Sequence, residues 1–201
     1  MTPSAPRPVL VIGGGIAGLA AAWQLGVHGV PSIVLEAEPL LAMHASARNA
    51  AIYLPLEHSA PAIWLAARSR ALLDEHLGTS WLAPDGVALV ARAPEALAEL
   101  QHAAVVHGVR HERWTSRELS QQLPLLAAGD VQHALFLPGG GVMDTSAITR
   151  AVERWGRAAG VEIRTSARVA ALVVRDGCVR GVRLDDGSEI ESSRVVLAAG
   201  A

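Results

Sequence analysis

A short apolar run followed by three closely spaced glycines restricts the fold of this chain more than any other feature. The run Val9–Ile12 leads through Gly13, Gly15 and Gly18 into a segment rich in alanine and leucine. A second apolar run, Ile33–Leu35, completes the pattern within about 30 residues, the length of a βαβ unit. The order strand, tight turn, helix, strand is therefore predicted. We expect an α/β fold built around this unit.

The three glycines have G-x-G-x-x-G spacing, and each has its own physical role. Gly13 allows the tight turn, Gly15 lets backbone amides approach a pyrophosphate, and Gly18 lets helix and strand pack closely. The helix start that follows, with Ile16 and Ala17, offers free N–H groups and a partial positive charge to phosphates. The pattern predicts a dinucleotide-binding turn.

An acid at the end of the second strand supports this interpretation. Glu36 follows Gly18 at about the 20-residue interval expected of a carboxylate that accepts hydrogen bonds from ribose hydroxyls. Because residues 9–35 contain no Asp, Glu, Lys or Arg, hydropathy alone would also allow a membrane span or a signal peptide. Each glycine would cost such a helix about 1 kcal/mol relative to alanine, and Pro31 would break its end. We therefore predict no membrane span.

Composition narrows the class of protein further. A chain of 201 residues that is 51% hydrophobic can bury a core in one large or two small domains. The net charge is −2, lysine is absent and the 17 arginines are scattered, so we expect no nucleic-acid partner. The single cysteine, Cys178, has no partner for a disulfide, which suits a reducing compartment. Residues 1–8 are expected to be a disordered lead-in without a separate apolar leader segment, and we predict a cytoplasmic protein.

The segment 38–59 shows neither a helical nor a strand period, and small residues crowd its centre. Small residues let a backbone come close to a flat or bulky group. Four polar side chains among them could contact such a group: His44, Ser46, Arg48 and Asn49. The alternative is an ordinary helix start with Ser46 as N-cap of a short alanine-rich helix.

Two Asp-Gly pairs between apolar runs, at 176–177 and 186–187, predict hairpin turns and hence a β-meander.

Three histidines could place two imidazoles on one helix face, as zinc sites do: His102, His107 and His111. Gly108 interrupts that helix, and no nearby acid or cysteine completes a ligand set. We therefore expect a solvated helix end there and no metal site.

Taken together, these motifs resemble the N-terminal half of FAD-dependent oxidoreductases of the D-amino-acid oxidase, glycine oxidase and sarcosine oxidase superfamily, which includes D-amino-acid dehydrogenases. Four segments match in order: VIGGGIAG with VLEAE, HASARNAAIY, GGGVMDTSAITRAVERWGRAAGVEI, and VVLAAGA. The first motif also fits NAD enzymes, whereas the combination of the four segments is much more specific for FAD enzymes. The resemblance covers nearly the whole chain.

The resemblance implies a Rossmann-like FAD-binding βαβ domain with a β-meander, plus part of an interleaved α+β substrate domain. The FAD-binding domain would be discontinuous, comprising residues 9–80 and 139–201, and residues 81–138 would belong to the substrate domain. Members of the family continue for about as many residues again. The chain is accordingly expected to be a fragment, a subunit completed by a second polypeptide, or a degenerate remnant.

The resemblance also assigns site residues. The pyrophosphate would lie on the glycine turn and helix start, and Glu36 would hold the adenosine ribose. Ala37 stands where the family often has a basic residue. The remaining cofactor contacts would be Ser46, Arg48, Asn49, Val169, Ala199 and Gly200. Tyr53 matches an aromatic residue that borders the substrate in some arginine-type D-amino-acid dehydrogenases, and His44 and Arg48 are the other catalytic candidates.

The activity implied by the resemblance is oxidation of a C–N bond in an amino acid or amine, with hydride transfer to flavin N5 and hydrolysis of the imine. Two alternatives use the same scaffold, because a fold does not determine the substrate: oxidation of a 2-hydroxy acid or of a tRNA-linked amine. An alternative from another class is a non-catalytic dinucleotide-binding fragment.

Overall fold

The structure is a computed structural model that describes residues 7–127 and 131–200. The predicted lead-in lies outside the described residues except for Arg7 and Pro8. The strands are β1 (Val9–Ile12), β2 (Ser32–Leu35), β3 (Ile52–Tyr53), β4 (Leu82–Ala83), β5 (Val87–Ala91), β6 (Glu112–Trp114), β7 (His133–Leu137), β8 (Gly141–Met143), β9 (Glu162–Arg164), β10 (Val169–Arg175), β11 (Cys178–Leu184), β12 (Glu189–Glu191) and β13 (Val195–Leu197). The helices are α1 (Ile16–Val27), α2 (Ala60–Leu77), α3 (Ala98–Val106), α4 (Ser116–Gln122), α5 (Pro124–Ala127) and α6 (Thr145–Ala158), and a 3₁₀ turn spans Pro94–Leu97.

The chain forms two compact units. The first joins the residues up to Asn49 to those from Thr145 onwards, and the second is Ala50–Asp144. This division falls at other positions than the predicted domain boundaries, because residues 50–80 and 139–144 lie in the second unit, and the extents of the FAD-binding and substrate domains stay a prediction. Backbone pairing explains the difference, since β8 bonds to both β3 and β4 and so joins distant parts of the chain in one sheet.

A parallel sheet in the order β13-β1-β2-β9 forms the centre of the first unit. Alternate residues of β1 point to its two faces: Val9 and Val11 pack in a cluster with Ala22 of α1, whereas Leu10 packs in a cluster with Val182 of β11. Both faces of the strand are therefore covered, which explains why its sequence is apolar throughout. The predicted βαβ unit is confirmed.

The predicted β-meander is also confirmed. Strands β10, β11 and β12 form an antiparallel sheet in that order. At the first turn Asp176 and Gly177 have φ of 53° and 72°, the left-handed pair that a two-residue hairpin favours. At the second turn Asp186 Oδ1 accepts hydrogen bonds from the hydroxyl and amide of Ser188, which lower the pKa of Asp186.

The second unit contains two three-stranded sheets, β3-β8-β4 and β5-β7-β6. Its core joins Ile63 of α2 and Leu100 of α3 to Leu135 and Leu137 of β7. Helix α4 begins with a capping box in which Thr115 and Glu118 each accept from the other's backbone amide. The bonds that the Glu118 carboxylate accepts from the amide and the hydroxyl of Thr115 lower the pKa of Glu118. Among the described helices, none is long and apolar enough to span a bilayer.

Helix α6 offers a test of its packing against the rest of the first unit. A Cβ at Gly156 would meet Val161 Cβ at 3.8 Å and Trp23 Cβ at 3.9 Å, ordinary contact distances. Because alanine is the better helix former and restricts the unfolded chain, we expect Gly156→Ala to raise the free energy of unfolding by about 0.5–1 kcal/mol. Urea unfolding followed by circular dichroism measures it, and a loss of stability would contradict this packing.

Candidate functional site

The glycine segment forms a tight turn between β1 and α1 and is not part of an unbroken helix. Gly13 has φ of 110°, and α1 begins only at Ile16. A Cβ at Gly13 would overlap the carbonyl oxygen of Ala198, and a Cβ at Gly18 would overlap that of Gly13. These two glycines therefore fix the turn and the approach of the helix to it.

Gly15 has a different surrounding. Its φ of −75° is open to any residue, and a Cβ there would meet only Ser46 Oγ, at 3.1 Å. Gly15 thus presents its α-carbon to the loop that carries Ser46 instead of to the sheet. No side chain at this position stands between Ser46 and the start of α1, and the approach of a pyrophosphate to the amides there stays a prediction.

Glu36 points at the glycine turn. Its Oε2 accepts a hydrogen bond from the amide of Gly14 at 2.6 Å, and its Oε1 accepts one from the amide of Glu38 at 2.9 Å. The residue is only 9% exposed. Because each carboxylate oxygen has two acceptor positions, Glu36 retains capacity for the hydroxyls of a sugar.

The contacts of Glu36 lead to a prediction about stability. A glutamine amide group would turn a donor toward one of the two backbone donors, leaving that N–H unpaired. We expect Glu36→Gln to lower the free energy of unfolding by about 2–3 kcal/mol, because both bonds to the carboxylate are charge-assisted. Glu75→Gln on the exposed surface of α2 is the control and should change little. Equal stability of the two variants in urea would contradict this role of Glu36.

The first turn of α1 has the electrostatic character of an anion site. The amides of Gly15, Ile16 and Ala17 have no carbonyl acceptor within the helix. The first turn itself contains no acidic residue, and the nearby carboxylate of Glu36, bonded to the amide of Gly14, offsets only part of the positive end of the helix dipole. The hydroxyl of Ser46 accepts from the amide of Ile16 at 3.0 Å, which shows that an oxygen atom fits at this position.

Ser46 belongs to a loop that folds back on the glycine turn. The amide of Ala42 donates to the carbonyl of Gly14 at 3.1 Å. Neither the predicted helix after Ser46 nor its role as N-cap of that helix is found, because residues 47–51 form no helix. Ser46 instead caps α1, thirty positions earlier in the chain.

The other polar residues of this loop have contacts with the loop itself or with Glu38, and not with the start of α1 as Ser46 has. The side-chain amide of Asn49 donates to the carbonyls of Ala45 and Ser46, and so stabilises the loop itself. His44 Nε2 lies 3.3 Å from Glu38 Oε1 and is largely exposed. Arg48 is exposed, and its backbone amide donates to the carbonyl of His44. Both catalytic candidates, His44 and Arg48, are therefore exposed on this loop of the first unit, joined through their backbones.

The predicted contacts in the second half of the chain lie at the same end of the sheet. The amide of Ala167 donates to the carbonyl of Glu36 at 2.8 Å, which brings the start of β10, at Val169, near the acid. A Cβ on Gly13 would lie 3.0 Å from Ala199 Cα, so that residue borders the turn. Gly200 has φ of 84° and Ala37 is half-buried. The fold thus places Ala199 beside the glycine turn and the segment just before Val169 beside Glu36.

Tyr53 lies in the second unit and has the contacts of a packing residue. It is 8% exposed, and its hydroxyl donates to the carbonyl of Ala66 at 3.2 Å. Its ring lies edge-on to Trp81, with 5.9 Å between centroids, and 5.6 Å from the guanidinium of Arg70. Burial raises the pKa of Tyr53, Arg70 opposes this and Asp74 adds to it. These contacts hold the ring and hydroxyl of Tyr53 in the second unit, and its position beside a substrate stays a prediction.

Two residues near the turn were missed by sequence reasoning. Ala42 adopts φ of 58°, which its residue type does not indicate. Glu38 contacts His44 and also Arg168, at 3.5 Å between Oε1 and Nη2, and so connects the loop to the segment before β10. Its position two residues after Glu36 is the only signal in the sequence.

Comparison with solved structures shows the same fold. Glycine oxidase from Bacillus cereus ATCC 14579 aligns with a TM-score of 0.74 and 22% identity over 96% of this chain and 55% of that chain. L-proline dehydrogenase from P. horikoshii aligns at 0.85 with 21% identity, over 98% and 53% of the two chains. L-amino acid deaminase from Proteus myxofaciens aligns at 0.79 with 23% identity, over 97% and 46%. The chain spans about half the length of these structures.

Comparison of sequences assigns the family. None of the curated proteins compared with the chain matches its sequence. A family model described as FAD dependent oxidoreductase, DAO, matches residues 8–201, which include the glycine turn, Glu36 and the strand before Ala199. The chain therefore belongs to the DAO family of FAD-dependent oxidoreductases.

Proposed function

We propose that this chain binds FAD at the glycine turn and forms the cofactor-binding part of an oxidoreductase that oxidises the C–N bond of an amino acid or amine. The observation that carries the proposal is the orientation of Glu36 and the start of α1 toward the same turn. A carboxylate for ribose hydroxyls beside the first amides of a helix for a diphosphate is the arrangement that dinucleotides require.

The residues present fit the adenosine diphosphate half of FAD. The amides of Gly15, Ile16 and Ala17 would bind the pyrophosphate, and Glu36 would accept from the ribose. Gly15 supports this fit, because a Cβ built on it would meet only the flexible side chain of Ser46. The hydroxyl of Ser46 occupies an oxygen position at Ile16 N–H that a phosphate oxygen would share or take over.

The remaining predicted contacts would bind parts of FAD other than the pyrophosphate and its ribose. The backbone at Val169 would meet the adenine, and Ala199 and Gly200 would lie along the chain that leads to the flavin. Arg48 and His44, both exposed in the Ser46 loop, would add positive charge or a proton donor near the phosphates or the flavin. Bound FAD would supply the two-electron redox chemistry, and the protein would orient it and exclude water.

The substrate class is supported by the likeness to structures named glycine oxidase, L-proline dehydrogenase and L-amino acid deaminase. All three names describe chemistry on amino acids. Since the chain spans about half of each structure, further residues that bind the substrate would come from outside these 201 positions.

The proposal is tested first by the visible spectrum of the purified protein after incubation with FAD and removal of free cofactor. Retained flavin bands are expected, and their bleaching by glycine or by D- or L-amino acids without oxygen would show the amine activity. Bleaching by 2-hydroxy acids alone would show that the substrate is a hydroxy acid and not an amino acid or amine. Absence of retained flavin would favour a non-catalytic dinucleotide-binding fragment.

A further inference from the structure

A groove runs between helix α6 and the loop of residues 39–47, within the first unit. Its volume is about 490 Å³, and small-molecule sites have volumes of about 300–1,000 Å³. The side chains that define it are Leu40, Met43, Thr145, Thr149, Arg150 and Arg157. The groove is thus large enough for a ligand of one or two rings.

The two walls of the groove differ in chemistry. The loop contributes Leu40 and Met43, which are 63% and 39% exposed although both are apolar. Helix α6 contributes hydroxyls, the guanidinium groups of Arg150 and Arg157, and the carboxylate of Glu153. An apolar surface left open to water opposite a polar, cationic one suits a molecule that has an apolar body and an anionic head.

The charge of the groove is positive and partly uncompensated. Arg157 Nε lies 3.0 Å from Glu153 Oε1, so these two charges neutralise each other. Within the described ranges 7–127 and 131–200, no acidic side chain forms an ion pair with Arg150. Arg150 therefore supplies a guanidinium that is free to form two parallel hydrogen bonds with a carboxylate or sulfonate.

The groove is separate from most of the cofactor contacts. Of the residues assigned to FAD, Ser46 lines it, whereas Gly15, Glu36 and Val169 do not. The groove lies on the side of the loop that faces α6, while the hydroxyl of Ser46 points to the start of α1.

We propose that this groove binds a small amphipathic anion, with its acidic group on Arg150 and its apolar body against Leu40 and Met43. The charge complementarity of Arg150 determines the sign of the ligand, and the exposed loop side chains determine its apolar part. This site does not depend on whether the chain binds FAD.

The test uses two fluorescent probes that share one scaffold, 8-anilinonaphthalene-1-sulfonate and uncharged N-phenyl-1-naphthylamine, with the full chain free of flavin. We expect one saturable site for the sulfonate and weaker binding of the neutral probe. Arg150→Ala should weaken sulfonate binding about tenfold, the loss of one charge-assisted contact. Arg154→Ala is the matched control, because Arg154 is exposed on the same helix but does not line the groove.

A second variant tests the same site independently, in case Arg150→Ala fails to fold. Met43→Glu places a negative charge in an exposed loop position and should also weaken binding of the sulfonate, while the neutral probe is affected less. Equal effects of Arg150→Ala and Arg154→Ala, or equal affinity for both probes, would overturn the proposal. Displacement of the sulfonate by FAD would also overturn it, because the groove would then belong to the cofactor site.

Discussion

Replacement of Gly18 by alanine is expected to lower the free energy of unfolding by about 3 kcal/mol, at the upper end of the cost of overpacking. On helix propensity alone the change should stabilise α1 by about 1 kcal/mol. The added Cβ, however, would overlap the carbonyl oxygen of Gly13, and backbone cannot move aside as a flexible side chain can. The helix would have to shift away from the turn.

The matched control for Gly18→Ala is Gly156→Ala in α6, where the new methyl group meets only ordinary contacts. The same chemical change in two helices of one unit should therefore have opposite signs. Urea unfolding at one temperature measures both variants. If Gly18→Ala is as stable as the unmodified chain, the close packing of α1 on the glycine turn is wrong.

Replacement of Gly15 by valine is expected to reduce the affinity for FAD at least about a hundredfold, or roughly 2.7 kcal/mol, while the fold is retained. The φ of −75° accepts valine, and the side chain of Ser46, at 3.1 Å from the new Cβ, can move by a few tenths of an ångström. The branched side chain would then cover the amides at Ile16 and Ala17, so a diphosphate could not reach them.

Flavin fluorescence measures this affinity, and circular dichroism shows whether the variant has folded. Gly139→Val is the control, because no atom lies within 4 Å of a Cβ built there. It exchanges the same residue types in the second unit and should leave FAD binding unchanged. An unaltered affinity of Gly15→Val would count against the glycine turn as the pyrophosphate site.

The fold of the first unit was predictable because its constraints are local. A glycine at φ of 110° and an Asp-Gly pair at positive φ are required by the backbone of the turns themselves, so the sequence shows them directly. The apolar run of β1 likewise predicts a buried strand directly, since both of its faces are covered. The side chain of Glu36 could be placed because the length of the βαβ unit fixes where β2 ends.

The contacts that were not predicted join distant parts of the chain. The bond from Ile16 to Ser46 spans thirty positions, and the positive φ of Ala42 has no signature in its residue type. The boundary between the units depends on which strands pair with β8, and strands of two or three residues carry too little pattern to show this. Tyr53 matched a family position, yet its environment depends on Trp81 and Arg70, which no local pattern connects to it.

The central claim is that a diphosphate binds to the first amides of α1. A titration of ¹⁵N-labelled protein with FAD, followed residue by residue in ¹H–¹⁵N correlation spectra, tests it most directly. We expect the amide signals of Gly15, Ile16 and Ala17 to shift together and to saturate, the signal of Ile16 because its hydrogen bond to Ser46 Oγ is replaced by one to a phosphate oxygen. Binding of FAD that leaves these three signals unmoved, or no binding at all, would contradict a diphosphate site at the start of α1.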